Sequence, residues 1–532
     1  MQPFGSLMLA LTVLAPAAMP APVQAADVAL MAGQRARPLN GTFNRVPVLH
    51  SNQPEEVEGP GILISTAPGV AYAAENGRPL QNAEYTFNGE FGLHLHHKYF
   101  PSYRRQIQPG QRRTELTLGV ILINPGRVPV SIRFERGAVR NSFQAPYLAN
   151  HLLGVKPLGP RPWNTGPGDA TAVQMLREQL DRELSEVVVI PPRSRIVLFS
   201  TPLPALGIAN ALLRGQSNGP FQMAVVAASN PQSDSDLIAV LDSRRLAPGR
   251  VYLNRVGDIQ ARRVFSRVGG VAIGDTYHAE LRHDLRRDGA LHVPLTSTNR
   301  HHFGTQEVQV NPLAVRMLDS SLDNVGTYGV RFDVDLNLEG SGSYDLVLSH
   351  PRVSAGRKDF VAFRGSLQVR TPDGLQEMHL GMRSGESHAL TSLELKPGTP
   401  LPVRVSLVYP ADATPGHLLS VVPSSQLAMV QARQRQQPAA LAPVPAPAAA
   451  APLARLPVAP RPPLLQPPVQ RPGTVTVRPR LQLQQRPQPG APAHQPARRP
   501  PAQAAGVDPT LLLRYQEAME AQQQLMRGLM GP

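Results

Sequence analysis

Tyr328, Val330, Phe332, Val334, Leu336 and Leu338 alternate with Gly329, Arg331, Asp333, Asp335 and Asn337. Side chains of an extended strand point to opposite faces in turn, so this run places six apolar residues on one side of a strand. Leu116, Leu118, Val120 and Leu122 repeat the pattern, stop at Asn124-Pro125-Gly126, and resume as Val128, Val130, Ile132 and Phe134. That arrangement predicts a hairpin, with proline and glycine supplying the turn. Thr371-Pro372-Asp373-Gly374 and Lys396-Pro397-Gly398 separate further alternating runs. Turn residues recur through Arg37–Pro423 and helix-period segments are scarce, so the fold class is mainly β, built as antiparallel sandwiches.

A chain of 532 residues exceeds one hydrophobic core. Arg262-Arg263 before a fresh strand series at Val268 suggests a boundary, giving β-rich domains over 26–265 and 266–430. One internal helix is expected in the first, starting at Asp169. There Val173, Leu176, Leu180 and Leu184 share a face, with Glu178 and Arg182 as an i,i+4 pair.

Beyond the β region the chemistry changes. Residues 431–506 hold no Asp, Glu or Lys but ten Arg and nineteen Pro. Such a segment cannot bury enough apolar surface to offset its ordering entropy, so a disordered, semi-stiff cationic arm is expected. At about 3.1 Å per residue it would span at most roughly 230 Å. The formal charge of the whole chain is +15; the arm supplies +10 and residues 26–430 only +6. The candidate polyanion-binding residues are therefore Arg433, Arg435, Arg455, Arg461, Arg471, Arg478, Arg480, Arg486, Arg498 and Arg499. The arm lacks any aromatic residue, which removes the stacking platform expected of a single-stranded nucleic-acid binder. Residues 507–532 follow as a short amphipathic helix, with Asp508 and Pro509 at its start and Leu512, Tyr515 and Met519 as candidate partner-docking residues, the partner being an envelope protein.

At the other end, Leu7–Leu14 is a short apolar run and Val23-Gln24-Ala25 a small-x-small cleavage pattern, so residues 1–25 read as a signal peptide. The run is too short for a membrane span and no other stretch is long enough. There is no cysteine, hence no disulfide framework or thiolate metal site. These features together predict export to a periplasm or cell surface.

Several phrases then become familiar as a set: VPVLHSNQPEEVEGPGILIST (46–66), LGVILINPGRVPVSI (118–132), VVIPPRSRIVLFSTPLP (188–204) and LKPGTPLPVRVSLVYPADATP (395–415). In this order they resemble an uncharacterised family of secreted, cyanobacterial-type β-rich proteins, a domain of unknown function, over about residues 37–420. The resemblance implies an exported β-rich protein and no particular activity.

Candidate chemistry is sparse. His94 and His96 would share a strand face with His97 opposite, so two imidazoles can meet one metal ion if a third ligand, such as His301 or His302, is brought to them. The alternative is a surface strand that carries histidine. His278-Ala279-Glu280-Leu281-Arg282-His283 has the wrong histidine spacing for a zinc-protease helix. Asp333, Asp335 and Asn337 mimic a calcium loop but lack its glycine and final glutamate. No serine elbow, Walker loop or dinucleotide fingerprint is present. No catalytic residue and no cofactor is assigned. The resulting expectation is a non-enzymatic envelope protein whose β head binds or scaffolds while the arm engages an anionic cell-wall or polysaccharide polymer. The alternatives are a metal-assisted hydrolase or carbohydrate-active enzyme using His94 and His96, and an assembly subunit of a surface structure.

Overall fold

The computed structural model describes residues 30–436, apart from 32–33, 105–106, 108–113, 147–152, 160–164, 263–266, 352–360 and 412. The expected signal peptide, all of the arm beyond 436 and the terminal helix with Leu512, Tyr515 and Met519 lie outside the described residues.

Alternation places most of the strands in four sheets. The first large sheet runs β11 (Val187–Ile190), β9 (Val130–Asn141), β13 (Ile208–Ser217), β7 (Glu90–Tyr99), β2 (Pro47–Ser51), β15 (Gly269–Ile273) and β18 (Leu313–Arg316). β3 (Glu56–Val57) also pairs with β7. A four-stranded sheet faces it: β12 (Ser194–Pro204), β8 (Glu115–Asn124), β14 (Gln222–Ser229) and β4 (Gly61–Ser65). The second large sheet runs β1 (Thr42–Phe43), β16 (Thr276–Asp284), β19 (Arg331–Glu339), β24 (Leu401–Val408), β21 (Val361–Thr371), β22 (Gly374–Arg383) and β10 (Gly154–Pro157). Its partner is β17 (Leu291–Leu295), β25 (His417–Pro423), β20 (Gly342–Ser349) and β23 (Ser387–Leu395). A ribbon of β5 (Val70–Tyr72) and β6 (Pro79–Gln81) stands apart. The fold is mainly β and mostly antiparallel; β2–β7, β3–β7 and β16–β19 are parallel.

Each sheet pair encloses its own core. Core one joins Leu93 and Leu95 of β7 to Leu118 and Val120 of β8. Core two joins Phe332, Val334, Leu336 and Leu338 of β19 to Leu346, Leu393 and Leu419. Strands nevertheless cross position 265 in both directions. β15 and β18 complete the first large sheet, while β1 and β10 edge the second.

The turn at Asn124-Pro125-Gly126 does not close a hairpin. β8 pairs with β12 and β14, and β9 pairs with β11 and β13. Both strands carry apolar sets that fill core one, and those sets meet across the core rather than side by side. The turn therefore carries the chain from one sheet to the facing sheet. Asn124 builds it, donating from Nδ2 to the Val128 carbonyl at 2.8 Å and accepting from the Gly126 N–H at 2.9 Å. Thr371–Gly374, by contrast, is a true two-residue hairpin between β21 and β22.

The internal helix is shorter than its apolar spacing suggests. α1 (Pro167–Leu176) ends before Glu178, whose backbone is left-handed at φ 57°. Leu180 leaves the helix to bridge Gly137, and Glu178 pairs with Arg331 at 3.0 Å and Arg136 at 3.4 Å rather than with Arg182. Among the described residues three further α-helices arise: α2 (Asp234–Asp242), a short α3 (Val256–Gln260) and α4 (Ser424–Gln436). Asp236 accepts from the Ser233 N–H at 2.9 Å, which starts α2. α4 packs Leu427 and Val430 against Leu30 and Leu418, and its backbone includes Arg433 and Arg435 at the start of the expected arm.

One ion pair is wholly removed from water. Arg250 Nη1 lies 3.1 and 2.9 Å from the two Asp319 carboxylate oxygens, and both side chains are 0% exposed. Gln53 Nε2 also donates to Asp319 at 3.0 Å. Asp319→Ala leaves a buried guanidinium without its counter-charge, and urea unfolding is expected to show a loss of about 3–5 kcal/mol. The double variant Arg250→Met with Asp319→Leu should lose much less.

Candidate functional site

The chemistry-bearing side chains gather where the two large sheets turn their outer faces toward each other around α1. On β7, Leu93 and Leu95 enter core one, so His94 and His96 point the other way. On β13, Asn210 and Leu212 do the same. α1 packs on β9 and β13 on one side and on β21 and β24 on the other. All of its residues except Gln174 are buried.

A polar chain runs through this seam. His96 Nδ1 lies 2.9 Å from the Asn210 side-chain amide, and that amide lies 2.6 Å from Thr171 Oγ1 on α1. Thr171 in turn donates to the Gly168 carbonyl at 2.9 Å. At the start of α1, Asp169 accepts from Ser366 Oγ at 2.9 Å on β21 and from His379 Nδ1 at 3.1 Å on β22. Its place in the first helical turn lets the helix dipole stabilise the carboxylate. Sequence reasoning missed Asn210, Thr171, Ser366 and His379. They lie up to 210 positions from their partners, and no local pattern marks them.

His94 and His96 share a face, as alternation requires, and His97 turns to the opposite one. None lies on the surface: all three are at most 2% exposed. His94 Nδ1 is 3.1 Å from His50 Nδ1 on the neighbouring parallel strand β2. His97 is held by Ser51 Oγ at 2.8 Å and by the Pro54 carbonyl at 2.7 Å. Gly329 closes over His94. Its φ is +76°, and a Cβ there would meet Leu212 at 3.0 Å and the His94 ring at 3.3 Å, so glycine suits both the turn and the close approach.

Burial holds these rings neutral. It pushes His50 down to about 3. For His96, burial and then Lys98 have the same result, and burial likewise brings His97 to about 3. His94 is driven well below the ordinary range by burial and then by His50, His96 and His97.

Among the described residues no group of three or more His, Asp or Glu side chains is placed to hold a metal ion. His301 lines a cavity of about 540 Å³ with Thr298, Arg300 and Val310, and no residue of β7 lines it. His278 sits on the outer face of β16, 3.0 Å from Asp335. Asp333, Asp335 and Asn337 lie on strand β19 rather than in a loop, with Asp333 bound to Arg331 and Asp335 to Arg404. No helix among the described residues is long and apolar enough to cross a membrane.

The seam generates a pH dependence. Native His50, His94, His96 and His97 refuse protons that the unfolded chain accepts below about pH 6.5. Their contribution to stability is therefore fully present above that pH and is lost as pH falls toward about 3, with a slope of about 1.4 kcal/mol per pH unit for each ring. Denaturant titrations between about pH 7 and about pH 4 should show this steep loss. A flat profile would mean the rings are solvated.

No curated protein matches the chain. Among solved structures, a xanthan lyase from Paenibacillus aligns at 8% identity over 69% of this chain and 26% of that one, with a TM-score of 0.11. An oxalate decarboxylase from Bacillus subtilis aligns at 9% identity over 74% of this chain and 85% of that one, with a TM-score of 0.10. The chain thus spans about a quarter of the lyase, and at these scores neither likeness carries an argument about fold or activity. A family model matches residues 34–423, which takes in β1 through β25, and the chain belongs to the family described as Protein of unknown function (DUF3370).

Proposed function

We propose that this is an exported, non-enzymatic envelope protein of the periplasm or cell surface. Its β head binds or scaffolds, and its 431–506 segment tethers it to an anionic cell-wall or polysaccharide polymer. The observation that carries the reading is the distribution of charge. Ten arginines without a single acidic residue occupy 431–506, whereas residues 26–430 carry only +6 over more than five times the length. A cationic run of this kind attracts polyanions through long-range, salt-screened forces. The most polar part of the head supports the same division of labour. His94, His96, Asn210 and Asp169 are each committed to a neighbour inside the seam, a geometry suited to joining sheets.

The test is co-sedimentation with isolated sacculi and with acidic polysaccharide gel. The full chain is compared with a full-length variant in which the ten arginines of 431–506 become glutamine. The parent should sediment at low salt and be released at high salt, and the variant should bind at least tenfold more weakly. Equal binding by the two chains, or binding that ignores salt, would contradict the tether.

A further inference from the structure

Away from α1, the cavity of about 540 Å³ that His301 lines is walled by two long connections. One is 296–312, from β17 to β18, and the other is 317–330, from β18 to β19. Connections longer than about 12 residues with no strand or helix of their own are uncommon and, when ordered, usually functional. The first is fixed from within by buried polar side chains. Ser297 Oγ donates to the Glu307 carbonyl at 2.7 Å. Gln309 accepts from the Ser297 N–H at 3.1 Å and donates to the Pro294 carbonyl at 3.0 Å. Thr296 and Thr327 are wholly buried in left-handed backbone, at φ 58° and 51°. That conformation is a genuine outlier for a β-branched residue, and such outliers gather at ligand and switch sites.

Thr296 also fixes two polar side chains in the cavity wall. Its carbonyl and Oγ1 accept from the Gly416 N–H at 3.0 and 3.1 Å. Gly416 lies at φ 95°, and a Cβ there would stand 2.7 Å from the His301 Cβ, so only glycine fits. Thr414 and Pro415 thereby line the cavity beside His301. Thr414 is only 6% exposed, yet among the described residues its hydroxyl makes no hydrogen bond, and neither does the His301 ring. A polar side chain buried this deeply is normally hydrogen-bonded; Thr414 instead opens into the cavity next to a half-buried imidazole. Burial, then Arg300 and His302, pushes His301 below its ordinary value, so the ring is neutral near pH 7 and keeps one nitrogen as an acceptor. Val308, Val310, Leu322 and Val325 supply an apolar wall. Arg262 and Asp323 pair with each other at the edge, and Arg300 is exposed to solvent.

We propose that this cavity binds an uncharged alcohol or phenol with an apolar body, its hydroxyl donating to the His301 imidazole and accepting from the Thr414 hydroxyl. Small-molecule sites typically enclose about 300–1,000 Å³ behind mostly apolar walls that carry a few placed polar groups. This cavity has that size and that composition. The two connections supply one side of the apolar wall each, Val308 and Val310 from the first and Leu322 and Val325 from the second. They are held by their own buried hydrogen bonds, so the walls are in place before a ligand arrives and little ordering cost opposes binding. The site uses residues of the head alone and is independent of the tether at 431–506.

The experiment is calorimetric titration of the full-length chain with 2-naphthol, a phenol that is uncharged near pH 7. One saturable site is expected, with an affinity that ignores salt. Naphthalene, which lacks the hydroxyl, should bind about tenfold more weakly. Thr414→Val keeps the side-chain volume and removes its hydroxyl. It should weaken 2-naphthol about fivefold, roughly the worth of one net hydrogen bond, and leave naphthalene unchanged. Its thermal midpoint should stay level or rise, because that hydroxyl serves no contact within the protein. Val310→Trp fills the cavity and should abolish binding of both compounds. No saturable binding by the parent chain would mean that the cavity is only a wet cleft. Equal 2-naphthol affinity in Thr414→Val, or a lowered midpoint there, would overturn the role given to the hydroxyl and with it the proposal. Full binding by Val310→Trp would place the compound elsewhere. Should Val310→Trp fail to fold, the comparison of the two compounds on parent and Thr414→Val decides alone.

Discussion

The polar contacts that join the two large sheets are organised by the short helix α1, which both sheets share. Each sandwich can fill its own core, but the outer face of each large sheet would otherwise expose a histidine, an asparagine or a serine to an apolar neighbour. α1 answers both faces with nearly three turns of backbone. Asp169 satisfies Ser366 and His379 on one side, and Thr171 reaches Asn210 on the other. Ala172, Met175 and Leu176 then seal the gap against Leu212 and Val408. Unpaired, each of these buried polar groups would cost about 1–3 kcal/mol, so the network can exist only when both sheets are in place. The exchanged strands β1, β10, β15 and β18 reinforce the same dependence.

That dependence decides how the histidines are read. A catalytic or sensing histidine needs solvent or substrate access and a titration near neutral pH. The rings on β7 have neither, since they are buried and depressed. The histidines of β7 pack the sheets together, and the arginines of 431–506 lie in a separate part of the sequence.

Much of the β architecture was legible because alternation is local. Phe332 to Leu338 could be assigned to one face from the sequence, and that face is the wall of core two. Pairing was less legible. The Asn124-Pro125-Gly126 turn looks like a hairpin turn, and nothing nearby reveals that β9 belongs to the opposite sheet. α1 was anticipated but drawn too long, because Leu180 and Leu184 continue its spacing while the left-handed Glu178 ends it. α2 carried a readable start in Ser233 and Asp236, whose three-residue spacing fits a capping arrangement. The pair of rings at His94 and His96 could be placed on one face, whereas their burial depends on contacts from β2, β13 and residue 329. Strands and core residues from both sides of position 265 contribute to both sandwiches.

The claim that the two cores stand or fall together through α1 is tested most directly by native-state hydrogen exchange across a urea series. The account predicts that the slowest amides of β13 in core one and of β24 in core two open with the same free energy and the same denaturant dependence. Exchange of β24 at a distinctly lower free energy, with β13 still protected, would show that core two unfolds alone and that α1 does not join them.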